Sequence, residues 1–210
     1  MIVLHLDVLT PEGKILFSRL SVFKDYFYLA GGTALALQIG HRVSVDFDLF
    51  SPDPIKKTLI AKVEKELTSG LVEPLVATSR ELTVIANGVK CTFLHYPFEI
   101  LLPLETGGPV DLLSAKEILA TKAYTIGRRG SFKDYIDLFV GVRSDIASLE
   151  EIIDLASRKY GSAFNDRLFL EQLLYIDDVP EESILMRGKE PPQRKDITDF
   201  FSTKIQTLSF

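Results

Sequence analysis

The chain has 210 residues, 46% of them hydrophobic and 25% charged, and a formal net charge of −5. That is an ordinary globular balance, long enough for one large domain or two small subdomains around a sizeable core, and its acidic excess excludes a global basic field, so a polynucleotide partner would need a local patch. The single Cys91 excludes an internal disulfide framework and suits a reducing cytosol, while the three scattered histidines, His5, His41 and His95, lack metal-ligand spacing.

Asp7, Pro11 and Glu12 interrupt the first apolar stretch, so a signal peptide is not expected, and no apolar run approaches a membrane span; the expected location is the cytoplasm, with no membrane partner. Thr10 can cap a helix that opens on Pro11 and Glu12 and runs to about Phe23, with Ile15, Leu16, Leu20 and Phe23 on one face. Phe27-Tyr28-Leu29-Ala30 reads as a short buried strand. Gly31-Gly32 ends it, and a short helix begins near Thr33 and stops at Gly40. Strand, glycine turn and helix N-terminus together make an anion site, because the backbone can approach a phosphate and the first helical N–H groups point at it.

His41-Arg42-Val43 leads into Ser44-Val45-Asp46-Phe47-Asp48-Leu49-Phe50. Val45, Phe47 and Leu49 alternate with Asp46, Asp48 and Phe50, the period of a strand. The two carboxylates therefore share a face, about 6–7 Å apart at about 3.3 Å per residue. Paired acids beside a phosphate cradle suggest a nucleotide held through Mg²⁺ by Asp46 and Asp48, with Gly31, Gly32 and Thr33 on the phosphates. Arg42 is either a solvated loop cation or a phosphate ligand whose planar fork suits two oxygens. Ser44 either binds phosphate or positions an acid, or simply starts the strand.

A helix is expected from Pro54 to about Thr68, its lysines a wet face or a polynucleotide contact. Strands over about 72–79, 81–86 and 89–96 form a meander, with Asn87-Gly88 as a hairpin turn. Ser114 and Glu117 form a capping box for a helix to about Thr125. On its apolar stripe sits Lys122, a lysine that either snorkels at the stripe's edge or aims at a phosphate. A helix from Phe132 to about Val140 carries Asp134 and Asp137 on the arc outside its apolar face, either as surface acids pairing with Arg128, Arg129 or Lys133 or as functional groups. Helices over about 149–159, 164–176 and 196–207 complete the chain.

The run Gly31-Gly32, thirteen intervening residues, then Asp46-Phe47-Asp48-Leu49 resembles the signature of the DNA polymerase β-type nucleotidyltransferase superfamily, and GGTALALQIGHRVSVDFDLF is similar to the AbiEii/AbiGii-type toxins of bacterial abortive-infection and toxin–antitoxin systems. Ala115 to Tyr124 resembles that family's lysine-bearing helix, and the segment from Arg129 to Leu138 its second helical motif. The resemblance implies an α/β fold, a nucleotidyltransferase-like mixed sheet with flanking helices over 1–112, followed by a C-terminal helical subdomain over 113–210. It implies Mg²⁺-dependent transfer of a nucleoside monophosphate from a nucleoside triphosphate to an acceptor such as RNA or tRNA, and an antitoxin encoded nearby. Asp46, Asp48, Lys122, Asp137 and Asp134 would be the catalytic set. Lys122 is expected to point toward Asp46 and Asp48, and its loss to cost activity rather than stability. Polymerase β-type enzymes typically place a third carboxylate on a later strand, and Thr92 occupies that slot here. The alternatives are a catalytically inactive, nucleotide-binding member of the same fold, or an interaction module whose acids are a wet strand face.

Overall fold

The computed structural model describes residues 2–68, 72, 74–126, 128–129, 131–188 and 190–208. The chain divides into two compact units, Met1–Ser114 and Ala115–Phe210.

In the first unit, helix α1 (Pro11–Arg19) opens on Thr10, whose side chain accepts from the Gly13 N–H at 3.1 Å, and runs on as a tight 3₁₀ turn over Leu20–Phe23. Leu16, Leu20 and Phe23 are buried, but Ile15 is exposed, because it stands one helical step off their stripe. Among the described residues five strands form one mixed sheet in the order β1-β2-β5-β4-β3. These are β1 (Tyr28–Ala30), β2 (Phe47–Ser51), β3 (Val76–Ala77), β4 (Glu81–Ala86) and β5 (Val89–His95). β2 and β5 are parallel and every other pair antiparallel. Phe47, Leu49 and Phe93 form the apolar face, on which Phe17 stacks against Phe47 at 6.2 Å and Phe23 meets Phe93 at 5.1 Å between ring centroids.

Helix α2 (Gly31–Ile39) links β1 to β2, and α3 (Leu59–Leu67) follows β2. The second is shorter than the expected Pro54–Thr68. The Ile55 N–H donates to the Ser79 carbonyl at 2.9 Å, and a turn at Lys57 and Thr58 precedes the first helical residue, Leu59. Asn87 and Gly88, with φ of 50° and 80°, make the expected two-residue turn between β4 and β5. The strand expected over 72–79 is confined to Val76–Ala77 among the described residues, and Glu73 lies outside them.

The second unit contains α4 (Ala115–Ile126), α5 (Phe132–Arg143), α6 (Leu149–Tyr160), α7 (Asp166–Leu174) and α8 (Arg194–Gln206). Gly127 and Gly130, between α4 and α5, lie outside the described residues. α4 packs against α5, α6 and α7, and α8 against α5 and α7. A Cβ at Gly141 would sit 2.6 Å from Leu119 Cδ1, so the glycine is what lets α5 approach α4 so closely. Held between α4 and α8, α5 is buried on nearly every side, and Asp134 and Asp137 lie inside rather than on a surface arc. Glu117 reaches across α4 to α6, where its Oε1 takes the Lys159 ammonium at 2.6 Å with both side chains fully buried. Among the described residues no helix is long and apolar enough to cross a membrane.

Candidate active site

β1 runs straight into α2. Ala30 is the N-cap and offers no side-chain cap, so the helix opens on backbone donors. The helix starts at Gly31, two residues before the expected Thr33. Gly31 has φ 66°, and a Cβ there would overlap Asp48 Oδ2. Conformation and space both demand glycine at this point. The result is a helix N-terminus whose N–H groups and dipole favour an anion, with an aspartate packed on its first residue.

A second set of bonds fixes the approach to the acidic strand. The Thr33 hydroxyl is paired with Ser44 Oγ at 2.7 Å and donates to the Asp46 carbonyl. Ser44 donates its N–H to the Val8 carbonyl at 3.0 Å, and its Oγ receives Arg42 Nη1 at 3.4 Å. Arg42 Nη1 also reaches the Val43 carbonyl at 3.1 Å. Thr33, Arg42 and Ser44 are buried, so Arg42 is not a solvated loop cation. With its hydroxyl directed into this latch, Thr33 has its backbone N–H to offer a phosphate. The latch also delays the strand until Phe47, and Val45, which the alternation groups with Phe47 and Leu49, is turned outward at 47% exposure.

Asp46 and Asp48 are half-buried. Asp48 stands between Ala30 of β1 and Thr92 of β5. Cys91, in register with Phe47, is fully buried, and its thiol is pushed up to about 12 by that burial and then by the charges of Asp48 and Asp46. Both carboxylates thus lie within electrostatic reach of one thiol. Among the described residues no three His, Cys, Asp or Glu side chains cluster as a metal cage. Two hard carboxylates beside a helix N-terminus fit Mg²⁺, which binds through one or two carboxylates and completes its shell with phosphate oxygens and water.

In the second unit the Lys122 ammonium takes Asp134 Oδ1 at 2.6 Å and Asp137 Oδ2 at 2.7 Å. Arg129 Nε meets the other oxygen of Asp134 at 3.2 Å. Lys122 is 5% exposed and the two acids less, so it does not snorkel at an edge, and the two acids share it rather than one standing apart. Tyr135, next in sequence, has its phenol pushed up to about 12, by burial first and then by Asp134.

Sequence reasoning did not single out Glu81 and Thr83. Their signal was nevertheless present, because a two-residue turn at Asn87-Gly88 pairs Ala86 with Val89 and hence Thr83 with Thr92.

A strand turning through glycine into a helix, beside a strand that bears Asp48 and follows directly on Asp46 in a mixed sheet, is the arrangement of a nucleotidyltransferase fold. The chain is similar in structure to an H. pylori protein assigned as a nucleotidyltransferase, with TM-score 0.59 and 15% identity over 93% of this chain and 92% of that one. It is similar also to JHP933 from Helicobacter pylori, with TM-score 0.50 and 13% identity over 93% of each chain. In sequence it is 32% identical over 184 residues, 86% of each chain, to the uncharacterized protein aq_aa25 of Aquifex aeolicus. Residues 14–112 match the family described as nucleotidyl transferase AbiEii toxin, type IV toxin–antitoxin system. The chain belongs to the AbiEii nucleotidyltransferase toxin family, and that membership implies an antitoxin counterpart.

Proposed function

We propose that the protein transfers a nucleoside monophosphate from a nucleoside triphosphate to an acceptor hydroxyl, with RNA, tRNA included, as the acceptor class. The observation that supports this most is the contact of Asp48 with Gly31. It joins a helix N-terminus suited to phosphates to a carboxylate suited to a phosphate-bound cation. The N–H groups of Gly31, Gly32 and Thr33 would hold the β- and γ-phosphates. Ser44 and Arg42 keep the strand entry fixed beside them. Asp46 and Asp48 would hold Mg²⁺, which when bound offsets phosphate charge and polarises the α-phosphorus. The acceptor oxygen forms a bond to that phosphorus, the bond to the bridging oxygen breaks, and its electron pair leaves with pyrophosphate. The hydroxyl proton passes to a carboxylate of the pair. Arg42, buried beside Ser44, is the group we assign to neutralise the transition state.

Incubation with each labelled triphosphate, Mg²⁺ and total RNA tests the reading. The wild-type chain should label RNA, and Asp48→Asn should lower the rate by about 10³-fold, on the scale of losing one preorganised transition-state contact, while circular dichroism stays unchanged. A fully active Asp48→Asn chain would remove the site. Thr92, where a third acid is expected, favours a second reading, an inactive nucleotide-binding member. Mg²⁺-dependent triphosphate binding in calorimetry without any transfer would select it.

A further inference from the structure

The lysines around α3 read from sequence either as a wet face or as a polynucleotide contact, and the structure separates them. Lys57 and Lys65 stand in solvent, Lys65 beside Glu66 at 3.3 Å. Lys56 and Lys62 converge instead on one ring. Their ammoniums lie 5.9 and 5.5 Å from the centroid of Tyr26, and that of Lys62 lies 5.2 Å from the centroid of Phe23. Lys62 is pinned there by donating to the Val22 carbonyl at 2.6 Å, which leaves two of its three N–H groups. Among the described residues neither ammonium is paired with a carboxylate. Two like charges are thus held around one ring, at a cost that an incoming anion would remove.

Beside them Phe23, Tyr26 and Phe27 wall a cavity of about 270 Å³, which Ser51 and Asp53 also line with a hydroxyl and a carboxylate. Small-molecule pockets begin at about 300 Å³, so this one admits a single ring system rather than a whole nucleoside triphosphate. Tyr26 is 59% exposed, so one wall is open to be covered. Ser51 follows Phe47 and Leu49 in alternation. The cavity therefore lies on the apolar side of the sheet, about 10 Å along β2 from Asp48 and on the other face.

We infer that this cavity is a docking site for one unpaired nucleotide of single-stranded RNA, its phosphate held by Lys56 and Lys62 and its base seated against Tyr26 and Phe27. The inference extends the RNA acceptor of the proposed reaction to a second site, and rests on that reading for the class of polymer alone. A chain of net charge −5 meets a polyanion only where basic side chains gather locally. Here cations and aromatic rings occur together, the combination that binds unpaired nucleotides whatever their base. A duplex offers the same phosphates but keeps its bases stacked, and an acidic protein segment would satisfy the lysines and leave the rings unused. So placed, the site anchors the strand away from the reacting hydroxyl and acts on RNA affinity.

Fluorescence anisotropy of a fluorescein-labelled oligouridylate, titrated with the full chain without triphosphate or Mg²⁺, tests this. Tyr26→Ala and Lys56→Glu should each weaken binding about tenfold, on the scale of losing one base-stacking ring. Lys56→Gln should lower the slope of log affinity against log salt by about 0.7, the share of one single-strand phosphate. Tyr26→Phe and Lys56→Arg should bind as wild type does. The same strand annealed to oligoadenylate should bind more weakly and lose little in Tyr26→Ala. Unchanged affinity in both Tyr26→Ala and Lys56→Glu overturns the inference, and if those variants still label RNA with triphosphate and Mg²⁺ the transfer reading stands without it. A wild-type chain that labels no RNA yet binds the strand through Tyr26 and Lys56 removes the transfer reading and keeps the site. Equal losses on strand and duplex overturn the inference in favour of bare charge attraction, and displacement of the strand by polyglutamate at matched charge overturns it in favour of an acidic protein surface.

Discussion

The two units hold aspartate pairs in opposite ways. Asp46 and Asp48 are half-buried, one before and one within an edge-to-centre step of the sheet, and their charge raises the thiol of Cys91. Asp134 and Asp137 are buried in a helix and share a lysine within 2.7 Å, with Arg129 on the other oxygen of Asp134. Half-buried carboxylates keep part of their contact with water, whereas buried carboxylates held by an ammonium belong to the fold as much as to any chemistry, because neither charge tolerates burial alone.

The sharpest way to break that contrast is to remove the lysine. Lys122→Ala should cost about 3–5 kcal/mol of unfolding free energy, since it removes the ammonium that two buried carboxylates share. The sequence alone leads one to expect that the substitution spares stability, and urea unfolding of Lys122→Ala decides between the two. The structure gives the lysine two internal partners that the helical periodicity of its own segment cannot reveal. Lys122→Met keeps the stem and should lose as much. Combining it with Asp134→Asn and Asp137→Asn should restore most of the loss in urea unfolding. By contrast Asp46→Asn or Asp48→Asn should shift stability by less than about 1 kcal/mol, as half-exposed charges do. Equal losses at the two sites would erase the distinction.

Gly31→Ala comes next. A left-handed backbone costs a side-chain-bearing residue about 1–2 kcal/mol, and the methyl group would also displace Asp48. The expected result is a modest fall in thermal stability together with lost triphosphate binding by calorimetry. Undiminished binding in the folded variant would dissociate the helix terminus from the acids.

The smallest effect reads the open pair through Cys91. Burial is the larger cause of its raised value of about 12, and Asp48 and Asp46 add to it. A carboxylate opposes thiolate formation, so removing its charge lowers the thiol pKa. In Asp48→Asn the thiolate absorbance near 240 nm should therefore appear at lower pH than in wild type, yet still above the ordinary thiol range because the burial remains. An unmoved titration would mean that the charge of Asp48 does not bear on the strand interior.

What the sequence discloses follows from how local the cause is. The strand at Tyr28, the glycine step, the acidic alternation at Phe47 to Leu49 and the Asn87-Gly88 turn depend on neighbours in the chain, and each is found where the pattern puts it, with the helix opening two residues early. Val45 was misread because a bond from Thr33, twelve residues earlier, holds the chain at Ser44 and Asp46. The ion pair of Glu117 with Lys159 lies outside the reach of any local pattern, because its partner stands two helices away. The burial of Asp134 and Asp137 depends on α4 and α8 closing on α5, and no periodicity within α5 reports its neighbours.

β5 lies between β2 and β4, though β4 is next to it in sequence and β2 is some forty residues earlier. The β4–β5 hairpin closes a loop of two residues, and the β2–β5 ladder closes a far longer one, which is the slower event in chain collapse. Thr83 and Thr92 therefore meet early, while Asp48 reaches Thr92 when the parallel ladder zips. Asp48 and Thr92 come together only as the sheet becomes complete, and backbone amides of β2 should exchange with solvent through the same global opening as those of β5. A chain caught part-way through refolding would own the hairpin and lack the site.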